Sequence, residues 1–138
     1  MLLADAILVD TSAVVALHCP SDRYHQSARD FFVNTTNVLW CTANLTAYES
    51  YTRARYDNGF QAAIEVYNFL RSEVVFQLWL SPEDETAARN LVEKFAEHKV
   101  SFHDALCSAV MKRAGIYRVF TFDHHFWILG FEILPGYV

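Results

Sequence analysis

Four carboxylates stand where strand ends and helix starts would bring them to one place. Asp10 ends the apolar run Ile7-Leu8-Val9 and is followed by two hydroxyls, Thr11 and Ser12. Asp123 directly follows Val119-Phe120-Thr121-Phe122. Asp104 falls in the first turn of a helix that opens at Ser101, and Glu49 in the early turns of a helix after Val38-Leu39-Trp40-Cys41. No matching set of basic residues stands beside them. Crowded oxygen donors of this kind call for a hard divalent cation such as Mg²⁺, which takes carboxylate ligands and keeps several waters. Each acid also has a plain structural reading. Asp10, Ser12 or Asp123 could cap the helix that follows, and Ser101-Phe102-His103-Asp104 and Thr46-Ala47-Tyr48-Glu49 both fit capping boxes. Glu49 could instead pair with Arg53 four residues on. Capping does not explain why four such acids should gather at one rim.

The elements that must position them alternate along the chain. Ile7–Val9, Val38–Cys41, Glu73–Leu80, Tyr117–Phe122 and Phe131–Leu134 read as strands, short and rich in β-branched and aromatic residues. Between them the spacing predicts helices over residues 13–18, from Ser21-Asp22 to about 33, over 42–56, 61–71 and 82–98, and from Ser101 to Gly115, with a turn or short helix at 123–127. Ser81-Pro82-Glu83-Asp84 is the clearest start: a hydroxyl cap, proline at the first helical position, then acids. Strands alternating with helices, with no hairpin signal, give an α/β fold: a three-layer α/β/α sandwich around a mostly parallel sheet. In such a sheet the carboxyl ends of strands and the amino ends of the following helices share one edge, where ligands bind. All four acids belong to that edge.

Composition narrows the class. The 138 residues make one domain, 53% hydrophobic and 15% aromatic, which is too apolar for a disordered chain. A net charge of −5 argues against a protein that coats nucleic acid through a general positive field, but not against a metal-assisted nuclease. Cys19, Cys41 and Cys107 form no CxxC pair and suggest a reducing compartment. Residues 1–5 carry no basic region of a signal peptide, and no apolar run is long enough to span a membrane, so a cytoplasmic location is expected.

Four segments together carry a resemblance. Ile7-Leu8-Val9-Asp10-Thr11-Ser12-Ala13, Glu49, Phe102-His103-Asp104-Ala105 and Phe120-Thr121-Phe122-Asp123-His124-His125-Phe126 resemble, in order, the successive motifs of the PIN domain, and within it the VapC ribonuclease toxins of toxin–antitoxin pairs. The closing Thr-x-Asp-x-x-Phe is the most specific of these. The resemblance implies a Mg²⁺- or Mn²⁺-dependent endoribonuclease. Asp10, Glu49, Asp104 and Asp123 would be its acidic quartet, with Asp10, Asp104 and Asp123 as metal ligands. Thr11, Ser12 and Thr121 would be the polar residues beside them. It also implies RNA as substrate and an antitoxin and a second copy of the chain as partners.

A divalent ion at such a cluster lowers the pKa of a water and neutralises charge on the scissile phosphate. In-line attack by water leaves a 5′-phosphate and a 3′-hydroxyl. Arg53, Arg55, Lys112 and Arg113 are the candidate RNA contacts, though each also fits a solvated helix face. His98, His103, His124 and His125 lack a His-x-x-x-His spacing and read as surface or partly satisfied imidazoles rather than a zinc site. No glycine-rich phosphate loop or Gly-x-Ser-x-Gly elbow is present. A haloacid-dehalogenase-type phosphatase would need a second Asp where Ser12 stands. The remaining competitor is a catalytically silent PIN-like module that holds RNA or protein. The aromatics Tyr48, Tyr51, Tyr56, Phe60, Tyr67 and Phe69 exceed what one buried stripe needs and, with the acidic rim, suit a partner with a basic, partly disordered segment; core packing or a homodimer contact is the alternative.

Overall fold

A computed structural model describes residues 5–136. Residues 1–4, part of the stretch read above as lacking a signal peptide, lie outside the described residues. The chain runs β1 (Ala6–Val9), α1 (Thr11–His18), α2 (His25–Asn34), β2 (Leu39–Ala43), α3 (Thr46–Asn58), α4 (Phe60–Leu70), β3 (Val75–Leu78), α5 (Pro82–Lys94), a 3₁₀ turn (Ala96–His98), α6 (Phe102–Ala114), β4 (Arg118–Phe120), α7 (His125–Ile128) and β5 (Glu132–Leu134). The five strands form one sheet in the order β3-β2-β1-β4-β5. Every pairing is parallel, where the sequence predicted a mostly parallel sheet.

Strand alternation decides which helices cover which face. Ile7 and Val9 point, with Trp40 and Phe120, into a core covered by α1 to α4. Ala6 and Leu8 point the other way, with Cys41, Ala43, Leu78 and Val119, into a core closed by α6 and Phe126, Leu129 and Phe131. β1 is buried on both faces, which is why its sequence is an unbroken aliphatic run.

Several predicted boundaries move for local reasons. β2 continues through Thr42 and Ala43, because both pair with β3 and Thr42 Oγ1 donates to Val9 O at 3.3 Å, so α3 begins only at Thr46. α2 begins at His25 rather than Ser21: Asp22 accepts from the Tyr24 backbone N–H at 2.8 Å and holds a turn instead. α5 ends at Lys94, and the chain reverses at Lys99 in left-handed conformation (φ 51°). The predicted start of α5 is as read, with Ser81 and Asp84 forming a reciprocal capping box and Pro82 in the first turn.

Candidate active site

β1 delivers Asp10 to the carboxyl edge of the sheet. Its backbone N–H still bonds to Phe120 O at 3.0 Å, while its carbonyl accepts from Ala13 and Val14 and so starts α1. The carboxylate makes no capping bond. One oxygen, Oδ2, accepts from Thr121 Oγ1 at 2.8 Å and Ser12 Oγ at 3.1 Å; Oδ1 is buried and without a partner. The three polar residues predicted beside it tie the surrounding elements together. Ser12 Oγ accepts from the Phe122 N–H and Thr121 Oγ1 from the Asp123 N–H, which joins β1 to the chain leaving β4. Thr11 Oγ1 accepts from Ser50 Oγ at 3.1 Å, which joins α1 to α3 and sets the height of neighbouring Glu49.

Asp104 arrives from α6, whose amino end is capped by Ser101 Oγ accepting from the Asp104 N–H at 3.0 Å. Asp104 itself is buried. Asp123 follows β4, and its Oδ1 accepts from the His125 N–H and lies 2.7 Å from His125 Nδ1. Glu49 reaches across from α3, but not as part of a capping box: Thr46 makes no cap. Glu49 meets His103, with Oε2 2.6 Å from Nδ1, close but not aligned as a hydrogen bond. The four acids line one cleft of about 230 Å³ with Thr11, Arg53, Lys99, Ser101 and His125.

Of the predicted RNA contacts, only Arg53 faces this cleft. Arg55, two residues on, is exposed elsewhere on α3 and does not line it. Lys112 and Arg113 do not line it either: they occupy the last turn of α6, whose first turn carries Asp104. Lys112 Nζ lies 5.8 Å from the centre of the Phe131 ring. Arg113 grips Asp84 with Nε at 2.9 Å from Oδ1 and a terminal nitrogen at 2.9 Å from Oδ2, and also donates to Trp79 O. It is a structural clamp between α5 and α6.

His103 is the residue whose place the sequence did not reveal. Read there as a partly satisfied imidazole, it is nearly buried, 3.6 Å from Asp104 Oδ1, with Nε2 3.0 Å from Thr46 Oγ1. Burial alone lowers its pKa, but the Cys107 sulfur and the Asp104 and Glu49 carboxylates outweigh it and hold the imidazole well above its ordinary value. Burial raises the Cys107 thiol too, so that thiol is neutral at pH 7 and the carboxylates provide the operative pull. Asp10 is raised to about 6, first by burial and then by the charge of Asp104, against the opposing pull of His103 and Thr121. Asp104 is raised as well, by burial and by Asp123.

These are the marks of a cation site. Ligating atoms of Asp10, His103 and Asp104 lie within 4.8 Å of one another, and so do those of Asp123, His124 and His125. Asp10 Oδ1 is buried and unpartnered, and the Asp104 carboxylate beside it disfavours its charge. Hard oxygen donors of this kind fit a divalent ion.

A parallel α/β/α sandwich thus carries buried carboxylates at the carboxyl edge of its sheet, an arrangement suited to holding a divalent cation. The chain belongs to the PIN domain family, whose sequence profile matches residues 7–131. It is 31% identical over 130 residues, 94% of this chain and 98% of the relative, to the 23S rRNA-specific endonuclease VapC20 of Mycobacterium tuberculosis. The crystal structure of that protein, described as a Sarcin-Ricin loop cleaving toxin, matches with a TM-score of 0.85 at 29% identity, over 91% of this chain and 95% of the other. DNA-bound VapBC from Salmonella typhimurium shares the fold at a TM-score of 0.65 and 17% identity, over 96% and 97% of the two chains.

Proposed function

We propose that this chain is a divalent-cation-dependent endoribonuclease and the toxin of a toxin–antitoxin pair. The observation that carries the reading is the gathering of Asp10, Glu49, Asp104 and Asp123 around one cleft, with a buried carboxylate oxygen left unpartnered. Mg²⁺, or Mn²⁺ in its place, is the ion these oxygens suit, held by Asp10, Asp104 and Asp123. When bound, such an ion supplies charge neutralisation at the phosphate and a readily deprotonated water. Thr121 and Ser12 hold Asp10 in one orientation, and Thr121 simultaneously fixes the backbone of Asp123. Glu49, partly exposed and beside His103, or Asp123 would take the proton from the attacking water. Arg53 supplies positive charge for the RNA backbone. The VapC20 likeness makes ribosomal RNA the first substrate to try.

The antitoxin reading rests on α3 and α4. Tyr51, Tyr67 and Phe69 pack against the core, whereas Tyr48, Tyr56 and Phe60 are exposed. Tyr48, Tyr51, Thr52, Ile64 and Tyr67 line a largely apolar hollow of about 280 Å³, with α3 supplying residues both to it and, through Glu49 and Arg53, to the acidic cleft. A partner segment with apolar and basic residues would cover both, and a second copy of this chain is the competing occupant. Among the described residues no helix is long and apolar enough to cross a membrane.

The test is incubation of the purified chain with ribosomal RNA in Mg²⁺, Mn²⁺ or EDTA, followed by mapping of the cut ends. Cleavage that needs metal, is absent in Asp104→Asn, and leaves 5′-phosphates is the expected result. Cleavage that survives EDTA, or leaves cyclic phosphates, would overturn the mechanism.

A further inference from the structure

A second hollow, of about 310 Å³, opens beside the acidic cleft and shares Arg53 and Asp123 with it. Its far wall is a ladder of stacked groups. Phe120, in the core, meets Phe122 edge-on at 6.2 Å. Phe122 carries Tyr24 flat against it, with centroids 4.5 Å apart and planes 2° from parallel. Arg23 lies over the Tyr24 ring at 4.7 Å. Asp22, which also lines the hollow, accepts from the Tyr24 N–H at 2.8 Å and holds the turn that presents the ladder. Phe122 immediately precedes Asp123, so the ladder is fixed in position relative to the acids.

An exposed arginine ordinarily loses much rotamer freedom when it binds. Stacking on a rigid aromatic reduces that loss and leaves the N–H edge and the outer face of the guanidinium open. Neither Arg23 nor Arg53 has an ion-pair partner among the described residues, and the exposed His124 lines the same hollow. On a chain of net charge −5, two arginines without ion-pair partners lining one hollow beside an acidic cleft make a local binding surface for an anion.

We infer that this hollow holds the nucleotide next to the cleaved bond, its phosphate between Arg23 and Arg53 and its base on the outer face of the Arg23–Tyr24 stack. Single-stranded RNA offers both groups: splayed bases stack on guanidinium planes, and phosphates take charge-assisted hydrogen bonds. The inference rests on the ribonuclease reading and adds where the strand runs, away from Asp123 past α1 and the α1–α2 turn.

The experiment measures binding, not cleavage. Fluorescein-labelled mixed-sequence single-stranded RNA is titrated with the Asp104→Asn chain in EDTA across a salt series, and anisotropy is read. Adding Arg23→Ala or Arg53→Ala should each weaken binding about tenfold and make the log–log salt slope shallower by about 0.7, the increment for one phosphate contact on a single strand. Tyr24→Leu, which removes the platform and keeps the cation, should weaken binding with the slope nearly unchanged. Arg89→Ala, on the far α5 where Arg89 pairs with Glu93, should change neither. An Arg23→Ala chain that melts like its parent and binds with the same affinity and slope overturns the inference and leaves the nuclease reading standing. A parent that binds no RNA at any salt also overturns the inference, while the nuclease reading is judged separately by metal-dependent cleavage in the wild-type chain.

Discussion

Replacing Asp10 by Asn should make the metal-free protein more stable while abolishing its activity. Asp10 is 3% exposed, and its pKa rises from 3.8 to about 6, chiefly through burial and then through the charge of Asp104. Below the unfolded value both states are protonated and the site costs nothing. As pH rises the unfolded chain ionises first, and above the folded value the native state carries the full penalty, so stability falls across this window. A shift of about two units corresponds to about 3 kcal/mol of destabilisation at neutral pH. Asparagine retains an acceptor for Thr121 and places its amide among the remaining carboxylates, but it gives up one charge-assisted bond. The net gain should be about 1–3 kcal/mol, or about 4–10 °C in melting temperature for a domain of this length. Denaturation in EDTA at about pH 7.5 and about pH 4.5 measures it, and the gap should shrink by about 2 kcal/mol at the lower pH, closing only below the unfolded value. A variant no more stable than wild type at neutral pH, or a gap that is the same at both, would refute the claim that the cluster is held together against its own repulsion.

Saturating Mg²⁺ or Mn²⁺ should stabilise the wild type by about 2.7 kcal/mol at a hundredfold excess over the dissociation constant, a gain that thermal melts should find blunted in Asp10→Asn. His103→Leu should weaken Mn²⁺ binding about 10- to 100-fold, as losing a group that orients a metal-site carboxylate does. Electron paramagnetic resonance of free Mn²⁺ reads this, and combining the change with Glu49→Gln should give less than the sum of the two. Arg113→Ala should cost about 1–2 kcal/mol, at the low end for breaking a buried pair because Arg113 is half exposed, with cleavage per folded molecule unchanged. Burial alone would raise Asp84, but Arg113 and Ser81 hold it below 3.8. The clamp's contribution should therefore be complete above about pH 4 and vanish as pH falls through the lowered value, where urea melts of wild type and variant converge.

The acidic quartet was legible because its logic is topological. Parallel strand ends and helix starts share one edge, and Asp10, Asp104 and Asp123 sit at such points in the sequence. Glu49 needed more, since its placement depends on the Thr11–Ser50 contact that ties α3 to α1. His103 was hidden for the same reason. Its neighbour Asp104 was visible, but nothing local says that Thr46 and Glu49 would cross to meet it. The distance of Lys112 and Arg113 from the cleft had a signal in the spacing: they lie eight and nine residues past Asp104, about 12–13 Å along a helix pointing away from the rim. The aromatic surplus was half core and half surface, and composition alone cannot divide such a set.

The most direct test of the central claim is cleavage of an RNA whose mapped scissile phosphate carries sulfur in place of a non-bridging oxygen, assayed in Mg²⁺ and in Mn²⁺. If Asp10, Asp104 and Asp123 hold an ion against that phosphate, one sulfur stereoisomer should be cut poorly in Mg²⁺ and rescued by Mn²⁺, which accepts sulfur more readily. Asp104→Asn should cut neither. Equal cleavage of sulfur- and oxygen-containing RNA in both metals, or cleavage that persists in EDTA, would contradict a metal-held phosphate at this site.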